Sequence, residues 1–397
     1  MFTIFRNRLL TAVVTGHLVV DMLNSTGPVL LALLATSHSW SNTQVGVAFT
    51  LYTLAGALSQ PPFGWLADRV RIRPTLLGGV GVAWTALCYT VVALTRQWEI
   101  MLPFFLLAAL GSGLFHPIGT SHAGMSNRKR AASATSIFFF GGQVGLALGP
   151  ALGGVLLGAY GSVGILPISI AAIVPVTLLL SAPAAPVVHA HDATARSNQL
   201  RSTAVLIAAF IALVALRSSI QQAYTLFLPK LFADRGWEPG AYGALAGTFM
   251  FASAVGNVIT GGVADRFGMR NATVWPLLLS VPAALFCISV SSPLISFVAA
   301  ALAGLLIGGQ HSVLVVHAQR LLPTGAGFAS GLILGFTFAA GAFGTWLGGL
   351  AADQFGLLPV MAALALLAIP AALLALTLPR RPRATPEVAL AAERSAS

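Results

Sequence analysis

Asp21 is the one acidic residue set deep inside an apolar run of this chain, with His17 four residues before it and Asn24 three after. On a helix those spacings put all three side chains on one face. An ionised carboxylate in hydrocarbon costs about 3 kcal/mol or more unless it is paired, hydrated or protonated, so a carboxyl so placed is a candidate for function. Its chemistry there is the gain and loss of a proton, tuned by His17. The seventh apolar run repeats the layout with Arg217, Gln221 and Tyr224 at spacings of four and three. Two such stripes are satisfied by facing each other across a cavity; the plainer alternative is an Asp21–Arg217 ion pair that only holds two helices together. His116, ahead of the helix-kinking Pro117, and His311, behind Gly308-Gly309-Gln310, add imidazoles in the fourth and tenth runs. Histidine titrates near physiological pH, so this pair suits proton carriage or anion binding, against a plain role as imidazoles bonded to nearby carbonyls. Asp21 and His17 are therefore the expected proton-coupling pair. The expected substrate contacts are Asn24, His116, Gln143, Arg217, Gln221, Tyr224, Gln310 and His311. No nucleotide, zinc or catalytic-triad motif is present, and neither a metal nor a cofactor is expected.

The elements that must hold these side chains are membrane spans. Of the 397 residues, 57% are hydrophobic and 8% charged, and the mean hydropathy is +0.87. A soluble domain carries roughly 25% charged residues. Apolar windows near the ~20 residues that cross a bilayer as helix recur near 9–35, 43–67, 74–95, 99–122, 131–158, 162–181, 203–231, 240–264, 272–291, 294–319, 326–351 and 357–378. Helices are required because every backbone amide in hydrocarbon must be satisfied internally, and the runs are too long for the strands of a membrane barrel. The expected fold is all-α and integral to a membrane, with twelve transmembrane helices in two six-helix repeats. Residues 1–181 form the first half, 182–202 a Pro-rich linker, 203–379 the second half and 380–397 a tail.

The duplication is written in the landmarks. Gly64-Trp-Leu-Ala-Asp68-Arg69 returns 197 residues later as Gly261-Gly-Val-Ala-Asp265-Arg266, and His116 and Gly149 return 195 residues later as His311 and Gly344. Repeated halves are how transporters frame a site near the bilayer midplane. Seventeen of the 21 Lys and Arg fall on one side, Arg96, Lys230 and Arg235 on the other, and Arg217 within a span. The positive-inside rule then sets both termini in the cytoplasm, so a net charge of +11 reflects topology and not a nucleic-acid footprint. The first run contains Asp21 and no clear A-x-A site follows it, so it reads as a retained helix and not a signal peptide. Cys88 and Cys287 read as packing residues, and His189-Ala-His191 as part of a solvated loop.

Each copy of the turn closes a run with acid and arginine together: Asp68, Arg69 and Arg73 in the first, Asp265, Arg266 and Arg270 in the second. The fifth run carries Gly145-Leu-Ala-Leu-Gly149-Pro150-Ala-Leu-Gly153-Gly154, a groove of small residues that lets another helix approach closely. The turn resembles the loop motif of the major facilitator superfamily, in which the Asp and Arg latch the cytoplasmic gate. The glycine string resembles the signature of that superfamily's drug/proton antiporter branch. Gly16-His-Leu-Val-Val-Asp21-Met, Leu114-Phe-His116-Pro117, Gly141-Gly142 through Gly149-Pro150, and Ala318-Gln319-Arg320-Leu-Leu-Pro323 with Ser330-Gly331 are similar to fosmidomycin resistance proteins, a family of proton-driven exporters. The resemblance runs over nearly the full length. The chain departs from it at Ile118 and Arg320, where that family often has acids, which leaves Asp21 alone within the spans.

The resemblance and the residues together imply a proton-coupled antiporter that exports a small anionic or drug-like molecule by rocking two halves about a central site. A proton-coupled importer or uniporter of small organic acids is the alternative within transport. A non-transporting receptor or assembly factor on the same scaffold is a weaker one, because both gate turns are intact. A membrane enzyme has no second intramembrane carboxylate or nucleophile–base pair to work with. The expected partners are a small molecule, protons and the lipid bilayer, with no nucleic acid, for a monomer in the plasma (inner) membrane.

Overall fold

The computed structural model describes residues 7–69, 73–95, 97–126, 131–182, 204–321 and 326–378, with the side chains of some helical residues, Asp68, Arg69, Asp265 and those of 326–334 among them, outside that description. All regular structure among the described residues is helical. The first half comprises α1 (Arg8–His38), α2 (Asn42–Arg69), α3 (Pro74–Leu94), α4 (Trp98–Ser126), α5 (Ala131–Tyr160), α6 (Leu166–Ala171) and α7 (Ile173–Ser181). The second comprises α8 (Ala204–Asp234), α9 (Pro239–Phe267), α10 (Met269–Ser289), α11 (Pro293–Gly308), α12 (His311–Leu321), α13 (Ala326–Phe355), α14 (Leu357–Leu366) and α15 (Ala368–Ala375). Among the described residues, nine stretches are long and apolar enough to cross a membrane by length and composition.

The pieces fill the twelve runs expected from the sequence, three of which are broken in two. Pro175 and Pro370 are each the third residue of α7 and α15, where a proline ring collides with the carbonyl four residues back and removes a donor. The helix is interrupted there, at Ala172 and Leu367. The third break, between α11 and α12, falls at Gly309-Gln310, where paired glycines weaken the helix.

Close packing within and between halves runs through the glycine string of α5. A Cβ on Gly145 would strike the backbone of Leu18 and Met22, and one on Gly153 would lie 2.6 Å from Thr26 Cγ2. The approach lets the Thr26 hydroxyl donate to the Gly149 carbonyl at 3.0 Å. Gly154, on the other flank, meets Gly243 of α9, with 2.8 Å between its would-be Cβ and the Gly243 Cα. One helix thereby touches α1 within its own half and α9 across the interface. Elsewhere across the interface α2 packs on α13 and α1 on α8.

The halves close on the side poor in Lys and Arg, the one expected from the sequence to face outward. Asp353, near the end of α13, accepts hydrogen bonds from the backbone N–H of Asn42 at 2.7 Å and of Thr43 at 2.9 Å, at the start of α2. A helix N-terminus offers unsatisfied donors and a positive dipole end, so it favours a carboxylate. Thr50 adds a bond to the Ala342 carbonyl at 2.8 Å. Toward the opposite side, among the described residues, a Cβ on Gly261, Gly262 or Gly335 would meet nothing within 4 Å.

Asp353 is thus a latch of the closed side. Partial burial works to raise its pKa, but hydrogen bonds from Thr43, Asn42 and Ser41 outweigh that and hold the carboxyl below the usual aspartate value. A depressed carboxyl contributes its stabilisation above its unfolded pKa of about 4 and loses it as pH falls through the lowered value. Asp353→Asn should therefore shift the population toward outward-open at neutral pH, whereas the native chain should do so only below about pH 4. Distances between spin labels on the outer ends of α2 and α13 check this, and an unchanged distribution in the variant removes the latch.

Candidate transport site

The first half presents Asp21 between two imidazoles. Its Oδ2 lies 3.1 Å from His17 Nε2, one turn earlier on α1, and its Oδ1 lies 3.2 Å from His116 Nε2 on α4. The opposite nitrogen of each ring is committed. His17 Nδ1 stands 2.8 Å from the Phe138 carbonyl and His116 Nδ1 2.8 Å from the Ser112 carbonyl. A carbonyl oxygen only accepts, so both Nδ1 atoms carry hydrogen. Each Nε2 then faces the carboxyl with a lone pair unless a further proton lies between them.

That geometry counts protons. Both contacts are closed only when each holds one proton, and a single carboxyl supplies at most one. The closed cluster is therefore either a carboxylate between two imidazolium rings or a carboxylic acid with one imidazolium, and both carry a net charge of +1. With one proton fewer, two lone pairs confront each other and one contact must open.

Neighbouring groups fix the cluster in place. Asn24 Nδ2 donates to Ser112 Oγ at 2.9 Å and approaches Asp21 Oδ1 at 3.5 Å, while its Oδ1 accepts from the Tyr52 hydroxyl at 2.5 Å. Tyr89 in turn donates to Tyr52 at 3.3 Å. His17 stacks on Phe138 at 4.0 Å between ring centroids. At Gly142 the α5 backbone passes so close that a Cβ would lie 2.5 Å from His17 Nε2 and 2.7 Å from Asp21 Oδ2. Gln143, the next residue, is exposed.

The second half holds a cation without an acid. Arg217 on α8 is buried, and its guanidinium donates to the carbonyls of Ile307 at 3.2 Å and Gly308 at 2.8 Å. These are the last carbonyls of α11, exposed as acceptors because the tenth run breaks there. The Asp21–Arg217 ion pair weighed from the sequence is not formed. The negative end of a helix and its unpaired carbonyls satisfy the arginine, and the histidines already occupy the carboxyl. Among the described residues no carboxylate lies within 4.0 Å of Arg217, whose Nε has no hydrogen-bond partner, nor do the Oε1 atoms of Gln221 and Gln310. Gln310 donates its amide to the Leu306 carbonyl at 2.5 Å, and His311 lies within the electrostatic reach of Arg217. Tyr224 is turned away from the stripe: it is fully buried and donates to the Met361 carbonyl at 3.2 Å.

The gate residues are placed in part. Arg73 is exposed immediately before α3. Arg266 lies over the Phe267 ring at 5.4 Å, and Arg270 Nε donates to the Leu378 carbonyl at 3.0 Å. The side chains of Asp68, Arg69 and Asp265, and the linker with His189 and His191, lie outside the described residues.

Comparison with known proteins bears on this arrangement directly. The sequence matches the Major Facilitator Superfamily over residues 13–231 and again over 205–396. The chain belongs to the major facilitator superfamily. It is 29% identical over 362 residues to the fosmidomycin resistance protein of Escherichia coli (strain K12), covering 87% of this chain and 86% of that one. It is 30% identical over 368 residues to the uncharacterized MFS-type transporter YfnC of Bacillus subtilis (strain 168), covering 89% and 88%. Among solved structures it superposes on a bacterial homolog of the human lysosomal transporter Spinster, inward-facing and occupied, with TM-score 0.77 at 15% identity over 94% of this chain and 96% of that one. The nucleoside transporter NupG gives 0.73 at 13% identity over 93% and 98%. At such identities the structural likeness carries the fold alone. As a major facilitator the protein is a multi-pass inner-membrane secondary transporter of a small molecule and not an enzyme.

The Tyr52 bond is a direct check on the cluster. Tyr52→Phe leaves the Asn24 carbonyl oxygen without its donor, and the purified variant should lose about 1 kcal/mol of stability. Thermal unfolding in detergent reads this, and a variant as stable as the native chain means the bond is not made.

Proposed function

We propose that this major facilitator is a proton-coupled antiporter that exports a small anionic or drug-like molecule by alternating access. The observation that carries the reading is the Asp21 carboxyl held between two imidazoles whose other nitrogens are tied to backbone carbonyls. Such a cluster changes its contacts when one proton leaves, which is what a coupling element must do. The side chain of His116 is 23% exposed, the most open of the three and the natural port for proton exchange. The cargo side is Arg217, supported by its unpaired Nε and by the free acceptors of Gln221 and Gln310 beside it on α8 and at the α11 break. Export of a drug-like compound is supported by the name of the Escherichia coli relative, a fosmidomycin resistance protein. Proton and cargo groups stand in different halves, so coupling runs through the rocking of one half on the other and not through a direct exchange of Arg217 for protons. Asp68 and Asp265 would latch the inner side when it closes, as counterparts to Asp353 outside, with both termini in the cytoplasm.

The opposite sign of coupling has one observation behind it. The closed cluster is positively charged, so proton loading and anion binding favour each other by charge, as in a proton-coupled importer. Proteoliposomes separate the two: an interior more acidic than the bath drives uptake by an antiporter, and a bath more acidic than the interior drives uptake by an importer. A panel of anionic and cationic compounds tests cargo charge in the same assay.

Asp21→Asn should abolish gradient-driven transport while leaving cargo binding and exchange largely intact. Full gradient-driven transport by that variant would sink the coupling role. Arg217→Lys should bind an anionic cargo roughly ten- to hundredfold more weakly, because an ammonium lacks the planar fork of the guanidinium. Arg217→Ala should lose anionic cargo altogether. If the alanine variant exports anions normally, or only lipophilic cations protect the native protein against heat, the cargo is not held by this arginine.

A further inference from the structure

We propose that His17, Asp21 and His116 form a binding site for one divalent transition-metal ion of the zinc or cobalt kind. The proposal goes beyond proton coupling and stands on the donor geometry alone. One ligand atom from each of the three residues lies within 4.8 Å of the others. The two nitrogen-to-oxygen separations are 3.1 and 3.2 Å. Each imidazole faces its own carboxylate oxygen, and neighbouring donors on one such ion stand about 2.9–3.4 Å apart, so a carboxylate that holds the ion through both oxygens already meets both rings at suitable distances. Their rings are almost perpendicular, at 88° with centroids 5.0 Å apart, and do not stack against each other.

The supporting shell is already that of a metal site. Metal-ligating histidines characteristically donate their other ring N–H to a carbonyl or carboxylate, which fixes the tautomer and aims the free nitrogen. Both histidines do so here, through Phe138 and Ser112. The third feature is the missing side chain at Gly142, where a Cβ would lie 2.5 Å from His17 Nε2 and 2.7 Å from Asp21 Oδ2. Two imidazoles and one carboxylate suit zinc, cobalt or nickel, whereas magnesium and calcium want oxygen and monovalent copper wants sulfur. A divalent ion with one carboxylate and two neutral imidazoles carries a net charge of +1. That equals the charge of the closed proton-filled cluster, so the ion takes the place of two protons without adding charge to the buried site.

Purified protein in detergent, with its affinity tag removed and chelator-washed, is titrated with Co2+. The expected result is one equivalent bound with a visible absorption band, displaced by Zn2+. Asp21→Asn and His116→Gln should each weaken binding at least ~100-fold, since even outer-shell changes cost 10–100-fold. Gly142→Ala keeps all three donors but puts a methyl group among them and should weaken binding at least ~10-fold. His122→Gln, which removes a buried imidazole on the same helix that is bonded to the Ile118 carbonyl, should leave binding unchanged. Each variant is compared only as a monodisperse, cooperatively unfolding species. Native protein that takes up no more Co2+ than Asp21→Asn, or His116→Gln or Gly142→Ala binding as well as native, overturns the site. Either result with pH-driven transport intact leaves the proposed function standing. Metal binding with transport indifferent to Asp21 does the reverse.

Discussion

A carboxyl buried in hydrocarbon must receive every partner from the protein, and the meeting of α1, α4 and α5 is organised around that demand at Asp21. One partner comes from the same helix, one from α4, and the space for both is kept by the α5 backbone at Gly142. The histidines are themselves held by backbone carbonyls, so neither ring can turn away from the acid without losing a second bond. Burial makes such a network costly when it is incompletely filled. Its state of protonation therefore bears directly on how the three helices sit together.

The second half solves the same problem with the opposite charge and different means. Arg217 finds no carboxylate and is held by the carbonyls at the end of α11. A broken span supplies those acceptors where an intact helix would have consumed them. Discontinuous helices near the midplane are a recurrent way for transporters to present backbone groups to ions and substrates. The two halves share a repeated pattern in sequence, yet one holds a buried carboxyl between two imidazoles and the other a buried cation. That division keeps acid and arginine from neutralising each other as a static pair.

What the sequence made legible follows from the range of the interactions. Long apolar runs and the 197-residue repeat report the spans and halves because they are set by solvent and by local helix geometry. His17 and Asp21 were readable as a pair because four residues is one helical turn. The link to His116 required a contact between residues 95 apart, and those to Phe138 and Gly142 more than 120, which no local spacing encodes. The Asp21–Arg217 pair, the alternative the sequence left open, does not form for a physical reason: the glycines at 308 and 309 end a helix and release better-placed acceptors. Tyr224 shares the spacing of the stripe, yet its ring is buried and its hydroxyl is satisfied by Met361.

The contacts of α5 show how local chemistry at the cluster can be felt across the molecule. The α5 glycines that let Thr26 of α1 reach the Gly149 carbonyl continue to Gly154, where α5 presses on Gly243 of α9 in the other half. The same helix covers the cluster at Gly142, three turns earlier. A change in the contacts of Asp21 alters how α1 seats on α5, and α5 cannot shift on α1 without moving against α9, because its backbone bears directly on theirs at Gly145 and Gly154. Interfaces packed backbone to backbone behave as bistable and not as continuously deformable. The glycine string is thus more than a packing device. It is the rigid link by which the contacts of Asp21 in one half bear on the seam between the two.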